Sequence, residues 1–379
     1  LFFLLLLPFG QTTANGNDSI RLSLLTCAPG EEIYSLFGHT AIRYEDPANG
    51  IDAVFNYGLF SFNTPNFIFR FSLGETDYQL GATDYAHFAA EYAFDGRSVW
   101  QQTLNLSKEE KAELIRLLQE NYRPENRVYR YNFFYDNCAT RPRDKIEESI
   151  IGKVIYPSEP QDGSRSFRDI VHQYCKGHPW ARFGIDLCIG SEADRPITQR
   201  QMMFAPFYLM DAFAGAQIAN DSIQRPLVSD KALIVDAVSD EEEGGWMPTP
   251  LQCSLLLFIL TAAATIYSLR KRTGLWGVDL VLFGTAGIVG CVLAFLALFS
   301  EHPAVSSNFL LLVFHPGQFL FLPYIIYCVR KGKKCWYLTL NLIVLTLFIA
   351  FFPLIPQRFD FAVVPLALCL LIRSASNLI

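Results

Sequence analysis

Positive charge is scarce in this chain. Its 379 residues include 31 lysines and arginines against 37 aspartates and glutamates, a formal net charge of −6 at pH 7. Proteins that bind nucleic acids use basic patches to neutralise phosphates. The charge balance therefore gives no support to a nucleic-acid partner. A regular alternation of strands and helices is also missing, so the sequence does not predict a parallel α/β sheet.

Hydrophobic residues are abundant at 51%, and the excess lies after Leu251. A chain of this length is too long for one core, so we expect two or more units. Residues 251–379 predict an all-α transmembrane bundle of about five helices. The predicted spans are residues 251–269, 278–299, 309–329, 336–352 and the shorter stretch 361–372.

Basic residues between these spans indicate their orientation. Arg270-Lys271-Arg272 follows the first span, and a second basic cluster, from Arg330 to Lys334, follows the third. Both clusters fall on one side of the bilayer, which the positive-inside rule assigns to the cytoplasm. The residues before Leu251 are therefore expected outside. His315-Pro316-Gly317-Gln318 interrupts the third span, either as a functional lipid-shaping site or as a kink whose polar groups neighbouring helices satisfy.

The first residues predict an export signal. Residues 1–15 combine an apolar run with small and polar residues up to Ala14, which is typical of a signal peptide and its cleavage site. The initiating Met and a basic start are missing, so we expect the sequence to be truncated here. A retained membrane anchor is the alternative, although the run is short for a span.

Residues 17–245 predict the exported α+β domain, ending in an acidic linker at residues 236–245. Apolar and aromatic residues alternate in several short stretches, which favours strands. Ser107-Lys108-Glu109-Glu110 is a capping box that opens a helix. The predicted strands are residues 20–25, 39–44, 53–60, 97–106 and 128–134, and the predicted helices are residues 84–94 and 107–121.

Cys138 is the candidate nucleophile of this domain. It follows Asn137, a residue type that caps helices, and precedes a helical pattern. The free N–H groups and dipole of a first helical turn favour a thiolate, and Arg141 and Arg143 add positive charge. The alternative is an inert buried cysteine that happens to begin a helix.

His39 is the candidate base. It follows Gly38 at the start of a predicted strand. A cysteine nucleophile needs such a partner, and the partner needs a third group to orient it. Asn56, on the next predicted strand, is our first choice for this third group, and Asp52 is the second.

Four motifs carry a resemblance to a known family. Together they are similar to the Lnb N-terminal periplasmic domain family; Lnb is a bacterial lipoprotein N-acyltransferase. The order, with histidine first and Asn-Cys last, also resembles permuted papain-like cysteine domains such as that of lecithin:retinol acyltransferase. The motifs are Phe37-Gly38-His39-Thr40-Ala41-Ile42-Arg43, Phe55-Asn56-Tyr57-Gly58, Asp77-Tyr78-Gln79-Leu80 and Phe134-Tyr135-Asp136-Asn137-Cys138-Ala139-Thr140-Arg141.

The resemblance implies an acyl transfer at the periplasmic face of the bacterial inner membrane, without metal or cofactor. Cys138 would take an acyl chain from a phospholipid donor as a thioester, with His39 activating it and Asn56 orienting His39. The acceptor would be the α-amino group of a diacylated lipoprotein's N-terminal cysteine. Permuted domains often have a second histidine in the third place, and this sequence offers none nearby. Candidate substrate-binding residues are Arg43, Tyr57, Asn137, Arg141, Arg143 and His315.

Two other functions are compatible with these residues. A membrane-held thiol hydrolase, either a phospholipase or an amidase, would give the acyl group to water and release free fatty acid. A non-enzymatic lipid- or lipoprotein-binding module would keep Cys138 as a structural residue. Spacing alone does not separate the transferase from the hydrolase, and the family resemblance favours the transferase.

The remaining exported cysteines raise the question of disulfides. Cys175 and Cys188 form either a zinc set with His172 and His178 or, as we prefer for an oxidising compartment, a disulfide. Cys27 has no evident partner other than Cys138. A bond between those two would remove the thiol chemistry.

Overall fold

The computed structural model describes residues 19–60, 65–157, 165–220, 224–237 and 246–378. The predicted signal segment and most of the acidic linker lie outside these residues. The described chain forms two compact units that are each discontinuous in sequence. The first contains residues 19–60, 76–157 and 198–237, and the second contains residues 65–75, 165–197 and 246–378. The predicted domain limits, 17–245 and 251–379, follow the chain and remain predictions.

A seven-stranded antiparallel sheet is the framework of the first unit within the described residues. Its strand order is β10-β5-β1-β2-β3-β4-β6, and a smaller sheet has the order β7-β8-β9. The predicted α+β class is confirmed. The strands are β1 Arg21–Cys27, β2 His39–Asp46, β3 Ile51–Leu59, β4 Asp77–Asp84, β5 Val99–Leu104, β6 Val128–Arg130, β7 Lys153–Ile155, β8 Gln217–Ala219, β9 Gln224–Pro226 and β10 Val228–Val235.

Helices of the first unit pack on its large sheet, and a separate set of helices makes up most of the second unit. The helices of the first unit are α2 Tyr85–Phe94, α3 Lys108–Tyr122, α4 Thr140–Ser149, α7 Gln199–Met202 and α8 Pro206–Gly215. Those of the second unit are α1 Phe67–Leu73, α5 Phe167–Tyr174, α6 Pro179–Cys188, α9 Pro250–Lys271, α10 Trp276–Phe299, α11 Pro316–Leu320, α12 Leu322–Lys331, α13 Trp336–Ala350 and α14 Val363–Ser376.

The sheet is buried on both faces near its centre. Leu22 and Leu24 of β1 join the larger core on one face, while Leu25 and Cys27 pack on the other face against Phe88 of α2. Successive side chains of a strand point to opposite faces, so two covered faces require a nearly continuous run of apolar residues. This explains why β1 is buried along almost its whole length.

Two long helices of the second unit coincide with the first two predicted membrane spans. Helices α9 and α10 are long and apolar enough to cross a bilayer, and α12 with α13 forms a third, bent candidate at 111°. The predicted span at 309–329 is not one helix. A 3₁₀ turn at Phe309–Leu312 is followed by α11 and α12, because Pro316 and Pro323 cannot continue a helix from the preceding turns.

The second unit contains buried ion pairs. Arg168 of α5 is fully buried and donates to Asp186 of α6 at 2.6 Å and to Asp194 at 2.8 Å. Arg373 of α14 donates to Asp279 of α10 through both Nε and Nη2, at 2.7 and 2.9 Å, and both side chains are inaccessible to solvent. Charged groups are rarely buried without such partners.

Candidate active site

Cys138 lies in the turn that leads into α4. Helix α4 is assigned from Thr140 with Ala139 as its N-cap, later than the Asn137 cap that the sequence predicts. The predicted capping bonds are nevertheless present, because the Asn137 amide oxygen accepts from the N–H groups of Ala139 and Thr140, each at 2.9 Å. The amide nitrogen of Asn137 donates to the carbonyls of Phe133 and Phe204. Asn137 is therefore a buried structural residue that fixes the backbone of Cys138.

The Cys138 sulfur lies against the start of β2. The backbone N–H of Thr40, the residue after His39, hydrogen-bonds to it and lowers the pKa of the thiol, and the N–H dipole of Cys138 itself also lowers this pKa. Burial raises the pKa of the thiol to about 11, and these two donors offset only part of that effect. The sequence predicts a thiolate at this helix start, whereas desolvation in the structure favours the neutral thiol.

His39 and Asn56 form the second half of the site. Ala41 of β2 pairs with Asn56 of β3, so His39 and Asn56 are diagonal neighbours on one face of the sheet. His39 Nε2 lies 3.1 Å from the Asn56 amide oxygen. An amide oxygen only accepts, so Nε2 carries the proton and Nδ1 keeps its lone pair. Burial lowers the pKa of His39 to about 4, against a smaller opposing effect of the Asn56 bond.

Burial of the two groups thus favours a neutral thiol beside a neutral imidazole in the resting site. Because Thr40 contacts the sulfur, the chain positions Cys138 next to the strand end that carries His39. With Asn56 fixing the tautomer, Nδ1 is the ring nitrogen able to take the thiol proton. This arrangement suits general-base activation of the sulfur as it attacks, rather than a preformed ion pair.

Asp52 does not orient His39. It binds Arg43 instead, with Nε and Nη2 of Arg43 donating to its two carboxylate oxygens at 2.8 and 2.6 Å. Arg43 also donates to Gln101, and its guanidinium lies over the ring of Tyr85 at 3.3 Å. Arg43 is therefore held by protein partners, which leaves its predicted role in substrate binding without support.

Other predicted substrate-binding residues also have structural partners. Arg141 donates to Asp136 at 2.6 and 2.7 Å. Arg143 is buried and donates to Asp144 and to the Arg200 carbonyl. Tyr57 is fully buried, and its hydroxyl donates to Asn121 at 2.8 Å.

His315 belongs to the second unit. It directly precedes α11, as the predicted interruption requires, and its Nε2 lies 3.4 Å from the Asn341 oxygen while its Nδ1 lies 3.5 Å from the Tyr337 hydroxyl. Both ring nitrogens of His315 thus find partners on α13. This contact pattern favours the kink over a separate lipid-shaping site.

The cysteines remain unpaired in the described chain. Cys175 and Cys188 are both free, so the predicted disulfide is wrong for this structure. The helices that carry them are joined instead by Asp186, which accepts from both Arg168 and His172. No cluster of potential metal ligands occurs among the described residues.

Cys27 is free as well and does not block Cys138. It lies opposite His39 in the β1–β2 pairing and is completely buried. Burial raises the pKa of its thiol to about 12, so it stays protonated, while Tyr92 hydrogen-bonds to it. The Cys138 thiol is therefore not consumed by a disulfide with Cys27.

Sequence analysis alone did not identify several groups around the sulfur. They are the Thr40 N–H, the space beside Gly58 and the tyrosines Tyr78, Tyr129 and Tyr131, whose pKa values the Cys138 charge would raise. Gly58 and Tyr78 lie inside two of the motifs that resemble the family, so the sequence did contain a signal for these two residues. Tyr129 and Tyr131 stood out only as aromatic strand residues.

A cysteine at a helix start, with a histidine and an amide on neighbouring strands of an α+β domain, is an arrangement that enzymes with a cysteine nucleophile use. The chain joins that domain to a helical unit with membrane-spanning helices. The family model of the Lnb N-terminal periplasmic domain matches residues 11–162, and that of the Lnb transmembrane domain matches residues 241–379. The chain belongs to the Lnb family. No curated protein and no solved structure matches it.

Proposed function

We propose that the protein is a lipoprotein N-acyltransferase that carries the acyl chain on Cys138. The observation on which the proposal depends is the group of Cys138, His39 and Asn56 in a domain of the Lnb family. A transmembrane unit in the same chain keeps such a site near ester-linked lipids and lipidated protein termini. Both proposed substrates are membrane molecules.

The first half-reaction transfers the acyl chain from a phospholipid to the protein. The Cys138 sulfur attacks the ester carbonyl carbon while His39 Nδ1 takes the thiol proton. The carbonyl electron pair moves to oxygen, and the tetrahedral intermediate then collapses with cleavage of the carbon–oxygen ester bond. The leaving alkoxide receives the proton from the imidazolium. The products are a lysophospholipid and a Cys138 thioester.

The second half-reaction passes the chain to an amine. The neutral α-amino group of a diacylated lipoprotein attacks the thioester carbonyl, and His39 takes a proton from the developing ammonium. Cleavage of the carbon–sulfur bond releases the sulfur, which recovers the proton from His39. The products are the amide and the free enzyme, so the cycle consumes neither cofactor nor metal.

Intact-mass measurement tests both half-reactions. Wild-type protein incubated with phospholipid is expected to gain the mass of one acyl chain, and neutral hydroxylamine should remove it because thioesters are cleaved under these conditions. A diacylated lipopeptide should remove the chain and become N-acylated. Cys138→Ala should gain nothing, whereas Cys175→Ala, which alters another free cysteine, should behave as wild type.

A persistent mass gain on Cys138→Ala would refute the assigned nucleophile. Discharge of the wild-type adduct mainly to free fatty acid, with unmodified lipopeptide, would instead identify a hydrolase. Failure of any adduct to form, together with full lipoprotein maturation by Cys138→Ala in cells, would identify a binding module.

The two half-reactions should depend differently on pH. With its pKa lowered to about 4, His39 is neutral between pH 5 and 8, so the single-turnover rate of acyl-enzyme formation should be nearly flat there. Discharge requires a neutral α-amine, whose pKa is about 8, and should therefore rise about tenfold per pH unit below that value. Separate rate measurements from pH 5 to 9 check this. An inflection in acylation near pH 6.5 would contradict the neutral site.

A further inference from the structure

The hydroxyl of Tyr129 is a polar group without a partner beside the nucleophile. Tyr129 lies on β6, its side chain is 6% exposed, and its hydroxyl has no hydrogen-bond partner among the described residues. Burying an unpaired hydroxyl is unfavourable, so buried polar groups are nearly always paired. The resting structure therefore contains a donor that lacks its acceptor.

Gly58 lies close to both this hydroxyl and Cys138. A Cβ atom built on Gly58 would lie 3.5 Å from the Cys138 Cβ and 3.9 Å from the Tyr129 hydroxyl. Gly58 has φ +92°, a conformation that side chains rarely allow, and the absence of a Cβ leaves room between these two groups. Cys138 and the Tyr129 hydroxyl thus border the same small space.

The surroundings make Tyr129 a persistent and strong donor. The Arg141 guanidinium lies 3.6 Å above the centre of its ring and is held there by Asp136. A cation over a phenol ring withdraws electron density and so strengthens the hydroxyl as a donor. Burial raises the pKa of Tyr129 well above its ordinary value, which keeps the hydroxyl protonated at every pH of interest.

We propose that Tyr129 is a further catalytic residue, whose hydroxyl donates a hydrogen bond to the acyl carbonyl oxygen at Cys138. The inference depends on the proposed acyl chemistry and assigns its oxyanion donor. When the sulfur bonds to the carbonyl carbon, the π electron pair moves to oxygen, and the resulting oxyanion accepts from Tyr129 without taking its proton. The same bond forms again when the amine attacks the thioester. A donor fixed before reaction is the arrangement that stabilises an oxyanion most effectively.

The test is Tyr129→Phe in the full-length protein, assayed by intact mass with phospholipid and by release of nitrophenolate from a p-nitrophenyl acyl ester. We expect both half-reactions to slow about 100-fold through kcat, with little change in KM. Thermal stability should be unchanged or higher, because no existing hydrogen bond is lost. Alkylation of Cys138 by iodoacetamide passes through no oxyanion and should keep its wild-type rate.

Tyr44→Phe is the matched control. Tyr44 is a buried tyrosine of the same sheet whose hydroxyl donates to Asp46 at 3.1 Å. Its removal should lower stability and leave the acylation rate unchanged, the reverse of the effects expected for Tyr129→Phe.

Wild-type acylation rates in Tyr129→Phe would refute the proposal, as would an equal loss of the iodoacetamide rate. The nitrophenyl ester separates the two proposals. If wild type reacts with this ester but never with phospholipid, the proposed function fails. The rate of Tyr129→Phe with the ester then still tests the role of Tyr129. If wild type reacts with neither, both fail.

Discussion

Replacement of His39 by alanine is expected to slow acyl-enzyme formation by about 10²- to 10⁴-fold, the usual contribution of a positioned general base. The resting thiol has a pKa of about 11, so almost none of it is ionised at neutral pH without a base to take the proton. His39 can take this proton, because the bond from its Nε2 to Asn56 leaves Nδ1 unprotonated. Single-turnover acylation, followed by intact mass, measures the effect.

Two further variants sharpen this experiment. His87→Ala removes an exposed histidine of α2 and should leave the rate unchanged. Asn56→Ala should reduce the rate less than His39→Ala does, because it disturbs only the orientation and tautomer of the ring. Raising the pH towards 11 should partly restore acylation in His39→Ala, since hydroxide then ionises the thiol. A wild-type rate in His39→Ala would remove His39 from the mechanism.

The sequence was sufficient to group Cys138, His39 and Asn56 because each lies in a short motif with a recognisable local role. The pairing of the surrounding charges depends on contacts between distant segments. Asp52 and Arg43 lie on adjacent strands, and their ion pair follows from the β2–β3 register, which the sequence does not specify. Arg141 was expected to acidify the thiol, but its guanidinium pairs with Asp136 and lies over the ring of Tyr129 instead.

The protonation state of the site also depends on contacts between distant segments. A helix start next to two arginines predicts a depressed thiol pKa, and that prediction is sound for an exposed cysteine. The degree of burial depends on contacts between distant segments, such as that of the sulfur with Thr40 at the start of β2. Desolvation then outweighs two local N–H donors and raises the thiol pKa.

The second unit also contains an ion pair that the sequence does not predict. The sequence identifies Arg373 as a residue that follows a fifth span, whereas the structure places it inside α14 and fully buried. It binds Asp279 at the beginning of α10, and its Nη1 lies 3.3 Å from Thr265 near the end of α9. The end of α9, the beginning of α10 and the end of α14 therefore meet. Five alternating spans would bring those ends to one side of the bilayer.

Substitution of Arg373 by methionine is expected to destabilise the protein by about 3–5 kcal/mol, because it leaves Asp279 buried without its partner. The Asn377 amide, 3.1 Å from Asp279, cannot supply the missing charge. The double substitution Arg373→Met and Asp279→Leu removes both charges and should recover most of the loss, since a buried ion pair and an apolar pair are often of similar stability. Thermal unfolding in detergent measures all three proteins.

Arg270→Met is the control for this experiment. Arg270 is an exposed arginine in the last turn of α9, and its loss should change stability by no more than about 0.5 kcal/mol. If the ion pair serves the fold alone, the double variant should retain the acylation rate per folded molecule while Arg373→Met loses folded protein. An Arg373→Met protein as stable as wild type would show that Asp279 has another partner, and the proposed meeting of α9, α10 and α14 would then lack its main polar contact.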